Sequence, residues 1–436
     1  MTDKLNSAAH ETFRSLRHRN FKLFFIGQLI SQTGTWLTMI TQTLLVLSLS
    51  HSGTMLGLLT AFQFGPVLLL GAWAGAVADR ADKRKLLITA QAAAMAQSLA
   101  LGILVLSGHA TIPAIFILAA IQGVITAFDN PTRRSFVTEM VTAEDLPNAV
   151  SLNTAIMTGS RVVGPALAGV LVLAFGFGWP FILDGLTYTA VIAGLLMMRP
   201  AELFRSAPTA KAKGQVREGL RYIRATPNLF VPLVMMAIIG TFAFNFSVTV
   251  PLLVKGPLGG GTGSFTILFS VLSVGSLVGA LLSARRKDAT PKHLVQSSIA
   301  FGISMVLLAL APTLGLAFPA AIALGLASVF FMTSSTAIVQ LLAGAEYRGR
   351  VLAIQAMVFL GSTPIGGPIV GWISDVSGAR AGILVGAVAC FAAAVYGARA
   401  MDLTQHHLVA PVQDLPAFGG PAAVLEPITD EITLAD

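Results

Sequence analysis

The sequence predicts an all-α membrane protein of twelve transmembrane helices in two pseudo-symmetric six-helix bundles. Three features predict it: long apolar segments, cations confined to alternate gaps between them, and signatures that recur six segments apart. Hydrophobic residues make up 55% of the 436 and charged residues 11%. Mean hydropathy is +0.78, whereas a soluble domain carries about 25% charged residues. Of 28 lysines and arginines, all but Arg161, Lys255 and Arg380 lie in the N-terminal arm, in even-numbered gaps or just after the last segment. Cationic gaps stay on the cytoplasmic side of an inner membrane, so both termini are expected there. The formal charge of +8 is therefore read as membrane anchoring rather than as a nucleic-acid footprint.

Each span needs about 20 mostly apolar residues to cross the hydrocarbon with its backbone satisfied. The pattern predicts helices over 22–48, 53–78, 86–107, 111–129, 147–174 and 179–198. A second six follows at 229–254, 264–284, 292–311, 314–342, 350–375 and 380–400. The domains expected are an N-terminal bundle (1–198), a linker (199–228), a C-terminal bundle (229–400) and a tail (401–436). Pro200, Pro208, Pro227 and seven cations mark the linker as cytoplasmic, with a short basic amphipathic helix at 214–224 on the bilayer surface. The tail, rich in proline and acidic residues, reads as a cytosolic extension. No cleavable leader is expected, because the first apolar run is already full length. Single Cys390 excludes a disulfide within the chain and a cysteine metal cluster.

The second segment ends Gly75-Ala76-Val77-Ala78-Asp79-Arg80, and the eighth ends Gly279-Ala280-Leu281-Leu282-Ser283-Ala284-Arg285. The fifth contains Gly164-Pro165 to Gly169, and the eleventh Gly367-Pro368 to Gly371. A six-helix unit used twice is the architecture of alternating-access carriers. On these residues the chain, over 15–400, resembles the major facilitator superfamily. The loop from Gly75 through Asp79 and Arg80 to Lys85 is similar to its signature loop. The fifth segment is similar to the antiporter branch, with Ser160 and Ala168 standing where glycine is usual. Phe128 to Val137 and Pro147-Asn148-Ala149 resemble an exporter subgroup containing the enterobactin exporter and macrolide-efflux-like proteins. One departure is plain: where drug/proton antiporters carry an arginine three residues before Gln122-Gly123, this chain has Ala119.

That departure draws attention to Arg161, the one basic residue well inside a span. A charge at the bilayer centre costs at least about 2.5 kcal/mol, so it faces a cavity or a partner. It is a candidate substrate or proton-coupling group, or else an interhelical clamp. In the first helix Gln28, Gln32, Thr35, Met39 and Gln42 recur at helical spacing on one face. With Gln63, Gln122, Asn245 and Thr333 they are candidate lining of a neutral, hydrogen-bonding cavity, or alternatively interhelical glue. Phe62, Phe64, Phe242, Phe244 and Phe246 flank these positions.

For the cytoplasmic gate the candidates are Gly75, Asp79, Arg80, Arg84 and Asp129. The resemblance implies that Asp79 latches against the start of the eleventh helix, near 347–350, with Asp129 pairing Arg80 and the basic cluster. Gly159, Gly164, Pro165 and Gly169 are expected to form a close-packed periplasmic seal. No Walker motif, paired carboxylates or nucleophile–base set points to an enzyme, and no metal or cofactor is expected. The reading is a monomeric secondary exporter of an amphipathic small molecule, drug-like or siderophore-like, coupled to protons. An importer and a non-transporting receptor or scaffold stay open as alternatives.

A reporter active only outside the cytoplasm should be active when fused at Gly108 or Gly259. Fused at Lys213 or after Met401 it should be silent; the opposite pattern reverses the orientation.

Overall fold

The computed structural model describes residues 11–204, 215–286, 289–344 and 346–401, and there it is helical without strands. The first half contributes α1 (Arg19–Ser50), α2 (Gly53–Arg80), α3 (Lys83–Leu106), α4 (Ile112–Met140), α5 (Leu146–Phe175) and α6 (Gly178–Leu196). A linker helix, α7 (Gln215–Ala225), follows. The second half contains α8 (Pro227–Phe242), α9 (Phe246–Lys255), α10 (Thr262–Ala284), α11 (Pro291–Leu310), α12 (Leu314–Leu342), α13 (Arg348–Ser377) and α14 (Ala379–Ala400). The tail and residues 205–214 lie outside the described residues.

Local chemistry sets the helix ends. Ser52, Asp82 and Thr290 accept backbone N–H groups of the first turns of α2, α3 and α11, each such cap contributing about 1 kcal/mol. Gly108, Gly176 and Gly378 take positive φ in the turns after α3, α5 and α13, which a side chain would resist.

Among the described residues, eleven spans are long and apolar enough to cross a membrane by composition. The twelfth, α1, is 32 residues long and falls short because of its glutamines, serines and threonines. The expected seventh span is broken. The Asn245 side-chain amide donates to the Thr241 carbonyl at 2.7 Å, replacing a backbone partner, and α8 and α9 part at 243–245. The linker helix packs on protein, with Ile223 buried and contacts to α8 and α13.

The principal helix pairings of the first half recur six spans later. The pairs α3–α6, α2–α4, α1–α6, α1–α5 and α3–α4 correspond to α11–α14, α10–α12, α8–α14, α8–α13 and α11–α12. The halves meet along two seams, α2–α13 and α5–α10. On α2 the stripe Gly53, Gly57, Thr60, Phe64, Leu68, Gly71, Gly75 runs along one face. Its first three members are buried, with Gly53 and Gly57 backbone-to-backbone against Gly371 and Gly367. Leu68 still touches Gly361, but around Gly71 and Gly75 the space is open.

The second seam behaves alike. On α5 the stripe Val150, Thr154, Met157, Arg161 is exposed, and its continuation Gly164, Ala168, Val172 is buried. Gly164 abuts Trp36 on α1, and neighbouring Gly169 abuts Thr266 on α10. The halves are thus closed at the face away from the basic loops and splayed at the basic face.

Asp375, at the far end of α13, completes the closed seam. Its carboxylate accepts the Gly53 and Thr54 N–H groups at 2.5 and 2.9 Å and the Ser52 and Thr54 hydroxyls at 2.6 and 2.7 Å. The positive end of α2 is therefore capped by a carboxylate of the opposite half. At the basic face, buried Asp145 ties down the N-terminal arm through Arg14, Arg17 and His18.

Asp375→Asn should loosen the closed face. A cysteine placed at Thr54 in a Cys390→Ala background should react several-fold faster with a membrane-impermeant maleimide once Asp375 is Asn. An unchanged rate would show that glycine packing alone holds the seam.

The hydrogen bond from His18, then those from Arg17, hold the Asp145 carboxyl below the usual carboxylate range. A depressed folded-state value means that the tie is complete above the ordinary carboxylate pKa and is lost as pH falls through the lowered one. Hydrogen exchange of residues 11–18 should therefore rise steeply only under acid conditions. In Asp145→Asn it should already be fast at neutral pH.

Candidate functional site

At the apex of the splayed interface stands Arg161, half-way along α5. The stripe on which it lies changes from exposed to buried one turn further on, at Gly164. Because Gly164 has no side chain, α5 approaches α1 closely enough to touch the Trp36 Cβ. The Ser160 and Thr33 hydroxyls meet 3.3 Å apart beside it. The Arg161 guanidinium carbon then sits 5.0 Å above the Trp36 ring, a stacking that contributes about 0.5–2 kcal/mol. No carboxylate pairs with Arg161 among the described residues, and its side chain is exposed. An exposed guanidinium on an aromatic shelf presents a planar fork of donors suited to carboxylate, phosphate or catecholate oxygens.

The polar stripe of α1 is split by its surroundings. Gln28 and Gln42 are buried; Gln28 accepts from Gln32 at 3.4 Å, and Gln42 accepts from Gln63 of α2 at 2.9 Å while reaching the Ile115 carbonyl of α4. Thr35 and Gln122 face the buried Tyr188 of α6. Gln32 and Met39 are half-buried and flank Trp36 along α1. Gln42 and Gln63 therefore join α1, α2 and α4 by hydrogen bonds, while Gln28 is bonded within α1. Asn245 is 1% exposed at the α8–α9 break, and Thr333 bonds Ser283, joining α12 to α10 at 3.0 Å. Neither is brought to Arg161. The phenylalanines largely pack on one another: Phe62 on Phe116, and Phe244 on Phe246, Phe301 and Phe359.

The gate candidates also separate. Asp129 does not pair with Arg80: it accepts from Gln91 at 2.8 Å and forms an ion pair with Arg133 one turn along its own helix. Arg84 leaves the gate altogether. It donates to the Leu195 and Leu196 carbonyls at 2.7 and 3.0 Å and so caps the C-terminus of α6. Arg80 is exposed and Asp79 partly so.

The start of α13, where the resemblance places the latch for Asp79, is engaged by the linker helix. Tyr222 stacks on Tyr347 at 4.3 Å, Glu218 pairs with Arg350 at 3.1 Å, and the Gly344 N–H donates to the Tyr222 hydroxyl. Of the seal residues, Gly164 closes α5 on α1 and Gly169 closes it on α10, with Pro165 buried between them. A Cβ at Gly159 would meet no atom of another element within 4 Å, so no close helix contact is made there in this conformation.

Two features escaped sequence reasoning. Trp36 sits one residue off the polar stripe and reads as lipid-facing until Gly164 is placed beside it. Asp375 looks like a loop charge, and the Ser52-Gly53-Thr54 turn that it caps is 321 to 323 residues away.

Known proteins agree with this architecture. The staphyloferrin A transporter of Staphylococcus aureus is 25% identical over 362 residues, 82% of this chain and 90% of that protein. Macrolide efflux protein A of Enterococcus faecalis is 24% identical, over 74% of this chain and 98% of its own. Among solved structures, an inward-facing, occupied bacterial homologue of the human lysosomal transporter Spinster superposes with TM-score 0.69 at 16% identity, covering 88% of this chain and 97% of that one. A D-xylose–proton symporter superposes with TM-score 0.70 at 13% identity, over 89% and 98%. These structural likenesses establish the fold. A family model described as transmembrane secretion effector matches residues 10–415. The chain belongs to the transmembrane secretion effector family, bacterial-type multi-pass transporters of the major facilitator superfamily.

Proposed function

We propose that this transporter is a proton-coupled exporter of an amphipathic small molecule carrying an anionic or catechol-like group. The observation that carries this reading is Arg161 at the apex of the splayed interface, on the Trp36 shelf, without a carboxylate partner among the described residues. The basic loops are taken as cytoplasmic in an inner membrane, with both termini inside, so the chain stands open to the cytoplasm and sealed by Asp375 on the far side. The bundles 1–198 and 229–400 rock as units, monomerically, about the α2–α13 and α5–α10 seams. Gln32, Met39 and Trp36 line the path beside Arg161. When the cytoplasmic face closes, Asp79 with Gly75 and Arg80 meets the start of α13, in competition with the linker helix. Export is supported by the similarity to macrolide efflux proteins, and a siderophore-like cargo by the similarity to the staphyloferrin A transporter.

The test uses proteoliposomes under an imposed pH gradient, with a macrolide and a catecholate siderophore as separate probes. Flux is normalised to folded protein. Arg161→Ala and Arg161→Gln should lose at least ten-fold of the wild-type flux of the transported probe, and Arg161→Lys should keep part of it. Unchanged normalised flux with collapsed abundance would instead make Arg161 a structural clamp, since deleting a buried charge partner costs about 3–5 kcal/mol.

A further inference from the structure

Within the first bundle lies a polar cluster that the substrate site does not use. Its ionisable members are Asp129 and Arg133, toward the basic-face end of α4, and Asp184 and Tyr188 of α6. Asp129 and Arg133 neutralise one another. Asp184 is 1% exposed and pairs with no cation among the described residues. The faces around it are nearly charge-free. From α1 it meets Gly34 and Thr38, from α3 Ser98, and on its own helix Thr187 and Tyr188. From α4, Arg133 reaches Tyr188 but is held by Asp129. Two carboxyls and one guanidinium leave one carboxyl in excess, and hydrocarbon does not tolerate an unpaired carboxylate.

The oxygens around Asp184 point the same way. Its Oδ2 lies 2.8 Å from the Thr38 hydroxyl and 2.9 Å from the Ser98 hydroxyl, and Ser98 Oγ is also 2.9 Å from the Phe181 carbonyl. Three oxygen–oxygen contacts need three protons, and two hydroxyls bring only two. A protonated carboxyl would supply the third, with Asp184 donating to Ser98, Ser98 to Phe181 and Thr38 to Asp184; an ionised carboxylate leaves the one Ser98 proton shared between Asp184 and Phe181. Oδ1 has no hydrogen-bond partner, which a carbonyl oxygen tolerates far better than half of a carboxylate does. Gly34 makes the room, since a Cβ there would collide with Oδ1.

We propose that Asp184 is a built proton-binding site, a neutral carboxylic acid in this state, which exchanges its proton as access alternates. The route for coupling is α1. One side of this helix carries Thr38 and Gly34 against Asp184, and the other carries Trp36 under Arg161. Cargo that shifts Trp36 displaces the hydroxyl that holds the acid, and the proton leaves to water while the site re-forms on the next protonation. Tyr188, facing both Asp184 and the Thr35–Gln122 pair, places a hydroxyl between the acid and the cavity-side helices. The proton-binding half of this proposal stands on the cage alone; the coupling half rests on the proton-antiport reading above.

Infrared spectroscopy of the full-length protein in lipid bilayers tests the first half without a substrate. Wild type at neutral pH should show a protonated-carboxyl C=O band that is lost in Asp184→Asn and shifted in Ser98→Ala. Absence of the band in wild type, or its persistence in Asp184→Asn, overturns the assignment. Should Asp184→Asn fail to fold, Ser98→Ala still decides, because an unmoved band places the proton elsewhere.

The second half is read in proteoliposomes with the macrolide probe or, where that is not carried, the catecholate siderophore. Asp184→Asn should retain probe-for-probe exchange within about two-fold of wild type and lose accumulation driven by a pH gradient. Loss of both modes in folded protein, or retention of both, overturns the coupling role. Wild type without pH-driven accumulation would sink the antiport reading while leaving the infrared result intact.

Discussion

Everything else in this conformation depends on the backbone contact between α2 and α13. Gly53 and Gly57 face Gly371 and Gly367 with no side chain between the helices, so the two bundles are pivoted on a surface only two backbones thick. Small residues allow dispersion contacts to act at close range where lipid supplies no hydrophobic drive between helices. The Asp375 carboxylate then satisfies first-turn N–H groups that would otherwise end unpaired at a protein seam. Because packing and capping occupy the same end of the seam, the opposite end is left to splay. The wedge with Arg161 at its apex is the geometric consequence.

The polar residues inside the bundles obey a strict accounting. In lipid-embedded helices every donor and acceptor needs a protein partner or a route to water. The first bundle meets that need with Gln42–Gln63, Gln91–Asp129–Arg133 and the hydroxyls around Asp184. Arg161 differs from these, since its guanidinium has a ring beneath it and open space above. A guanidinium without a carboxylate partner among the described residues is the feature on which the proposed export reading rests. Arg84 and Asp145 show the opposite use of charge, where carbonyls and cations at the basic face fasten helix ends and the terminal arm.

Much of the architecture was legible in the chain. Hydropathy and the placement of lysine and arginine are one-dimensional properties, and a bilayer reads them one-dimensionally, so segments and their order follow directly. The six-span repeat of Gly-Pro and Gly-Ala signatures anticipated the duplicated helix pairings. Arg161 stood out because the cost of an intramembrane charge needs no tertiary information. The glutamines of α1 were legible as protein-facing, but which of them lined an opening was not. Gln28 and Gln42 share a face with Gln32, and only the placement of neighbouring helices buries the first two and leaves Gln32 half-buried.

By itself, then, the sequence determined the class, the spans, the duplicated design and the rare charge, because each is written in local composition against a fixed solvent. Tertiary structure alone decided which face is shut, that Asp129 bonds within its own bundle rather than to the gate, and that α7 takes the start of α13. It alone decided, too, that Asp184 is caged by hydroxyls from helices 86 and 146 residues away. The reason is geometric. Helix rotation and lateral packing are set by which glycines meet which backbones, and a stripe of small residues specifies that a close contact exists without specifying its partner.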